Sequence, residues 1–268
     1  MGKASNSLQK SIYKELNTIT KSEEKLRKKA KTIDSTYKDK LIEKIPDGLN
    51  KTLQAAFSKA FGIIFQHGIG IIEKSYNKED IAANYDIQNF AIERKSNRRE
   101  LRKLKKSASK SDFLNMSLTT VEGIGLGALG IGLPDIVLFI GMVLKGIYEV
   151  SLHYGYDHDS DAEKYLILKM MRTALSKEDE WEQGNREVDE LMITPYSVDA
   201  DILKKEIEYT SECFATDMLV LKFIQGLPLV GIVGGMFNPV YYNKILAYVR
   251  LKYYKRFLRD KLGTIDVR

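Results

Sequence analysis

Histidine and carboxylate residues crowd one stretch of this sequence in a way that could support chemistry. His153 and His158 stand among Glu149, Asp157, Asp159 and Asp161. Glu149 and His153 are four residues apart and so share a helix face. With Asp157 or His158 they could supply the nitrogen and oxygen ligands of a divalent cation, as a metal-dependent hydrolase requires. The competing reading is structural: one helix ends near His153, and the next opens with an acidic first turn. Ser160 and Glu163 have the spacing of a capping box, and Asp161 suits the positive end of a helix. No Gly-x-Ser-x-Gly elbow is present to place a serine nucleophile.

A second grouping is rich in glycine. Gly125, Gly127 and Gly130 have the spacing of a dinucleotide-binding turn. The preceding residues, Phe113 to Glu122, lack the β-branched run of a buried strand, and only Glu149 lies where the acidic ribose partner belongs. No Walker lysine follows. These features argue against nucleotide binding, and no cofactor is expected. Close helix packing fits better, because Gly123 and Gly127, like Gly231 and Gly235, are four apart and let helix backbones approach.

The third grouping is basic. Arg94 to Lys110 includes Arg98, Arg99, Arg102, Lys103, Lys105 and Lys106. Near the end, Arg250, Lys252, Lys255, Arg256 and Arg259 interleave with Tyr248, Tyr253, Tyr254 and Phe257. Such mixtures suit an anionic lipid surface, single-stranded nucleic acid, or a solvated amphipathic face.

The elements that must position these residues read as helices. Leu8, Ile12, Leu16 and Ile19 recur at helical spacing, followed by a charged run from Lys21 to Lys31. After the turn at Pro46-Asp47-Gly48, the residues Leu53, Phe57, Phe61 and Ile64 predict a buried helix to about Lys74, interrupted at His67 and Gly68, with His67 read as a core residue. Residues 78–110 predict another helix, with Leu101 and Leu104 as its apolar stripe. Pro134 and Asp135 suit the first turn of an apolar helix ending near Val150. Tyr154 to Asp157 reads as a loop, 161–174 as a helix, 175–198 as a polar stretch, 199–224 as a long helix and 241–262 as a basic, tyrosine-rich one. No alternating pattern demands a strand. The chain has five prolines in 268 residues, few enough for long helices. One cysteine, Cys213, excludes an internal disulfide and suits a reducing cytoplasm. The Met-Gly start lacks the Ser or Thr of a myristoylation signal, having Asn6 there.

Residues 223–243 carry no charge over 21 positions, about the length that spans a bilayer, but Gln225, Pro228, Asn238, Pro239 and Asn243 interrupt them. In the first apolar segment, Asp135 and Lys145 would each cost roughly 2.5–3.5 kcal/mol at a bilayer centre. Both segments therefore read first as buried core and second as membrane contact.

Gly130-Ile131-Gly132-Leu133-Pro134-Asp135, then Tyr154-Gly155-Tyr156-Asp157, then Leu229 to Asn238 and a tyrosine-rich helix, resemble the EcsC family in order and spacing over about residues 45–262. The resemblance implies a bacterial protein whose namesake is encoded beside the two parts of an ABC transporter. It implies no known activity, so no catalytic residue is carried over. Gly132, Pro134, Asp135, Gly155, Tyr156, Asp157 and Asn238 are the family-like positions.

The expectation is thus an all-α, multi-helix bundle with two glycine-rich apolar hairpins. It comprises a lysine-rich N-terminal arm or helix (1–45), one helical domain (46–262) and a short tail (263–268). The favoured role is that of a cytoplasmic accessory protein, peripheral at the inner membrane face, whose partner is an anionic membrane surface or a membrane transporter. Contacts would fall on Arg98, Arg99, Arg102, Lys103, Lys105, Lys106, Arg250, Lys255 and Arg256. A small-molecule ligand is not expected and nucleic acid is not favoured. The alternatives are a hydrolase at Glu149, His153 and Asp157, and a basic nucleic-acid-binding module.

Overall fold

A computed structural model describes residues 2–30, 43, 45–109, 134–224 and 239–266, and every regular element among them is a helix. In chain order they are α1 (Gly2–Ala30), α2 (Asp47–Ile63), α3 (Ile69–Glu73), α4 (Lys78–Lys95), α5 (Arg98–Ser107), α6 (Pro134–His153), α7 (Asp161–Leu175), α8 (Glu178–Leu191), α9 (Ala200–Ile224) and α10 (Pro239–Asp266). The fold is all-α. Both glycine-rich segments, with Gly123 to Gly132 and Gly226 to Asn238, lie outside the described residues.

Local chemistry explains most boundaries. Asn77 accepts the Asp80 N–H at 3.1 Å and opens α4. Asn97 does the same for Glu100 at 3.2 Å and opens α5. Residues 78–107 are therefore two helices rather than one continuous helical stretch. Ser96 divides them in the left-handed conformation, with φ 47°. The His67–Gly68 interruption is a π turn, Ile64–Gly68, that joins α2 to α3, and His67 is solvent-exposed rather than in the core. The polar stretch 175–198 contains a helix, α8. Its signal is Trp181 and Val188, seven apart and both buried.

The last helix, α10, packs against α1, α6 and α7. Tyr242, Ile245, Tyr248, Lys252, Tyr253, Tyr254 and Leu258 are all buried on it, so it is enclosed on nearly every side. α6 has the length and mean hydropathy to cross a membrane over Ile136–His153, yet 78% of that stretch is buried in the protein. Glycines do let helices meet closely. A Cβ at Gly146 on α6 would stand 2.5 Å from the Tyr242 hydroxyl, and one at Gly184 on α8 would stand 2.5 Å from Thr173 Oγ1.

Enclosing a basic helix requires carboxylates. Lys252 is 0% exposed, and its Nζ lies 2.7 Å from both Glu23 on α1 and Asp189 on α8. Lys255 binds the same two carboxylates at 2.8 and 2.6 Å. Glu15 is 1% exposed on the apolar face of α1. It is held by Arg98, by Arg102 at 3.1 Å and by the Tyr254 hydroxyl at 3.2 Å. Burial works to raise the Asp189 and Glu15 carboxyls, but these donors prevail and hold both below their usual range.

A depressed carboxylate contributes stability that is complete above its ordinary value, about pH 4, and drains as pH falls through the lowered folded value. Asp189→Asn is expected to lower the unfolding free energy at pH 7 by about 3 kcal/mol, the range for breaking one side of a buried pair. The gap from the parent should narrow as pH falls from 4 to 2. Urea unfolding across pH checks this, and a gap independent of pH would refute the assignment.

Candidate functional site

The loop that follows α6 is shaped by its helix end. The Gly155 N–H donates to the Leu152 carbonyl at 2.9 Å and the Tyr156 N–H to the Ser151 carbonyl at 3.0 Å. This is the bond pair of a Schellman motif, and Gly155 sits at its left-handed position with φ 79°. The turn reverses the chain and lays out Tyr156, Asp157, His158 and Asp159. Ser160 then accepts the Glu163 N–H at 3.1 Å and starts α7. The reciprocal half of the predicted capping box is given up, because Glu163 turns inward to accept the Tyr253 hydroxyl at 2.7 Å and Arg256 at 2.9 Å. Tyr156 is held by Asp260 at 2.5 Å and lies beneath the Arg256 guanidinium, 4.1 Å from its ring centre.

His158 is 0% exposed, with its ring stacked on Tyr148 at 4.0 Å and 10°. Opposite stands the end of α3 and the start of α4. His158 Nε2 lies 3.2 Å from Glu73 Oε1 and 3.8 Å from Asp159 Oδ1. The Lys78 ammonium is 2.8 Å from Glu73, 3.6 Å from Asp159 and 3.9 Å from Asp157. Neither ring nitrogen of His158 makes a hydrogen bond, and the buried hydroxyls of Tyr76 and Tyr148 are also without one. Burial pushes the imidazole below its usual value, so it is neutral at neutral pH and one nitrogen presents a lone pair. Burial likewise pushes both tyrosines up, keeping them as hydroxyls. Glu73, His158 and Asp159 place ligand atoms within 4.8 Å of one another. Together they offer one nitrogen and two carboxylates, a set that could hold a cation.

The trio expected from sequence does not assemble. Glu149 accepts Lys145 at 2.7 Å one turn back on α6. His153 closes that helix, and Asp157 faces solvent beside Lys78. The sequence cluster contains His158 and Asp159 but not Glu73, which arrives from a remote helix. Pro134 and Asp135 do begin α6. Gly132 and Asn238 lie outside the described residues.

The basic candidates divide. Arg99 and Lys106 are exposed, while Arg98 and Arg102 reach in to Glu15, Lys103 binds Glu100 at 3.0 Å and Lys105 covers the Tyr254 ring at 5.3 Å. The C-terminal set is a correction. Arg250 is partly buried, Lys255 binds Glu23 and Asp189, and Arg256 binds Glu163. Their tyrosine neighbours are interior, so this helix cannot lie on a bilayer by its own face. A separate concavity of about 400 Å³ between α7, α8 and α9 is lined by Arg172, Glu187, Cys213 and Asp217. Arg172 there is already bound to Glu206 at 2.8 Å.

A Cβ on Gly155 would meet the Tyr85 ring at 2.4 Å and also carry the left-handed backbone penalty of roughly 1–2 kcal/mol. Gly155→Ala is expected to destabilise the protein by at least about 2 kcal/mol in urea. A change under 0.5 kcal/mol would show that α4 is free to move away from the loop.

The EcsC protein family matches residues 10–258 of the chain. Protein EcsC of Bacillus subtilis (strain 168) is 24% identical over 159 residues, 58% of this chain and 64% of that protein. The chain thus covers less than two thirds of this relative's length. No solved structure matches. The family match begins inside α1 rather than near residue 45, which agrees with a first helix whose Glu15 pairs with Arg98 and Arg102 of α5 and whose Glu23 neutralises the buried Lys252 of α10. The chain belongs to the EcsC protein family.

Proposed function

We propose that this protein is an accessory component that docks reversibly on an anionic membrane surface, at the cytoplasmic face and beside a membrane transport system, through the α4–α5 hairpin. The observation that carries this reading is an exposed apolar pair on α4, with Arg94 beside it and the basic helix α5 packed alongside. Ile87 is 68% and Phe90 61% exposed, on the outer face of α4. Ala83 and Arg94 continue the same stripe at helical spacing, and the Arg94 guanidinium lies 5.4 Å from the Phe90 ring centre. Gln88 on α4 donates to Ser107 on α5 at 2.8 Å, and Lys95 pairs with Glu100 at 3.6 Å. These bonds align the two helices along one edge. Arg99, Lys103 and Lys106 are exposed and share one face of α5. The acids Asp86 and Glu93 fall on the opposite edge of α4, where Glu93 accepts Lys261 at 2.7 Å.

Single exposed apolar residues are ordinary. Two adjacent ones with Arg94 beside them on one flank, and Asp86 and Glu93 on the other, suit a headgroup boundary, where the apolar side chains enter and the guanidinium stays with phosphate. Each basic residue near such a surface contributes about 1 kcal/mol, and burying the two apolar side chains adds roughly 25 cal/mol per Å². The sum is enough for reversible, salt-sensitive attachment. A surface mode also agrees with the mostly buried α6. The rival nucleic-acid reading relied on Tyr248, Tyr253 and Tyr254 for base stacking, and all three are interior.

Sedimentation with vesicles tests the proposal. The protein is expected to bind vesicles containing anionic phospholipid at low salt, to ignore neutral ones and to dissociate at high salt. The double variant Ile87→Glu, Phe90→Glu is expected to bind at least about tenfold more weakly with unchanged thermal unfolding, since both side chains are exposed. Equal binding by parent and variant, or no binding to anionic vesicles, would overturn the proposal.

A further inference from the structure

We propose that Glu73, His158 and Asp159 form a binding site for a divalent first-row transition cation of the zinc class, which on entry displaces the ammonium of Lys78. This inference is independent of the membrane reading. Three observations carry it.

First, the ligand atoms are already spaced for a small cation. Two ligands about 2.0–2.1 Å from a tetrahedral ion stand about 3.3 Å apart. His158 Nε2 is 3.2 Å from Glu73 Oε1, and 3.8 Å from Asp159 Oδ1, which needs to close by only a few tenths of an ångström. Second, His158 is a fully buried imidazole with no hydrogen-bond partner on either nitrogen, and its Nε2 lies 3.2 and 3.8 Å from two carboxylates. Leaving such groups unsatisfied costs about 1–3 kcal/mol each. A metal bond to Nε2 removes that penalty at one of the two nitrogens, and the Tyr148 ring stacked flat on the imidazole holds its plane. Third, the site already holds a positive charge. Lys78 Nζ lies against Glu73 and near Asp159, with Asp157 behind it. The lysine begins a helix and is about a third exposed, so it can swing outward.

A buried nitrogen ligand selects against calcium and magnesium, which prefer oxygen alone. Three protein ligands leave one position open to solvent, on the side where Asp159 is half exposed. That position is available to water or to an anionic group.

The test uses the full-length protein, dialysed against chelator and titrated calorimetrically with zinc chloride. Cobalt(II) serves as a spectroscopic probe. The expected result is one saturable equivalent of zinc and a tetrahedral visible band with cobalt. Asp159→Asn, at a half-exposed position that does not threaten folding, and Glu73→Gln are each expected to weaken binding at least tenfold. Lys78→Met is expected to strengthen it several-fold, because the competing charge is gone. No saturable equivalent overturns the proposal. So does binding unchanged in Asp159→Asn, which would place the ion on another histidine. Unchanged or weaker binding in Lys78→Met overturns the displacement of the lysine.

Discussion

The ammonium of Lys252 has no access to water, and much of the described fold follows from the need to neutralise it. An uncompensated charge in that position would cost several kcal/mol. Glu23 and Asp189 close around it at 2.7 Å and around Lys255 at 2.6–2.8 Å, which fixes α1 and α8 against α10. Glu15 repeats the device with inverted sign, as a buried carboxylate that draws Arg98 and Arg102 of α5 and Tyr254 of α10 onto α1. Glu163 does so again for Arg256 and Tyr253. The C-terminal helix is therefore a polar core rod, and the lysine-rich first helix is its counterpart rather than an appendage.

This polar core gives a standard against which the candidate site stands out. The buried hydroxyls of α10 find acceptors: Tyr241 the Asp217 carbonyl at 3.0 Å, Tyr248 Asn185 at 3.0 Å, Tyr253 Glu163 and Tyr254 Glu15. Satisfaction of this kind is the rule for buried polar groups. Around His158 the rule lapses, since both ring nitrogens and the hydroxyls of Tyr76 and Tyr148 are unbonded within one neighbourhood. Other buried polar atoms without a hydrogen bond are scattered over the described residues, whereas four gather here beside Glu73, Asp159 and Lys78, where a ligand on Nε2 would satisfy one of them.

Helix content was legible in the sequence because periodicity and caps are local. Ser160, Asn77 and Asn97 mark helix starts by their side-chain chemistry, and Gly155 marks a helix end that only a left-handed residue can make. The family resemblance was legible for the same reason, through short blocks of glycine, proline and tyrosine. What failed was any inference that needed a distant partner. Lys255 and Arg256 read as part of a lipid-facing stripe because periodicity cannot reveal that Glu23, Asp189 and Glu163 wait on other helices. Glu149 and His153 read as ligands because they share a helix face, yet Lys145 on that face takes Glu149 first. Glu73 carries no local mark, and it meets His158 only because the chain turns at Ser75 to Asn77 and again at Gly155. Helix α8 was missed because only Trp181 and Val188 signal its inner face within a strongly charged segment.

Helix α4 lies between these two regions. Ile92 is its one fully buried residue, so its position cannot come from core packing alone. Its N-terminus is tied by Lys78 to Glu73, its middle by Tyr85, whose ring fills the notch that Gly155 leaves open, and its C-terminal half by Gln88 to Ser107. With Glu93 bound to Lys261 on the far edge, these contacts hold α4 from both sides and leave its outer face free, where Ile87 and Phe90 stand exposed. Burying those residues in the protein would require a further element over α4. In their present position the same contacts that secure the helix keep its apolar stripe turned outward and its first turn beside His158.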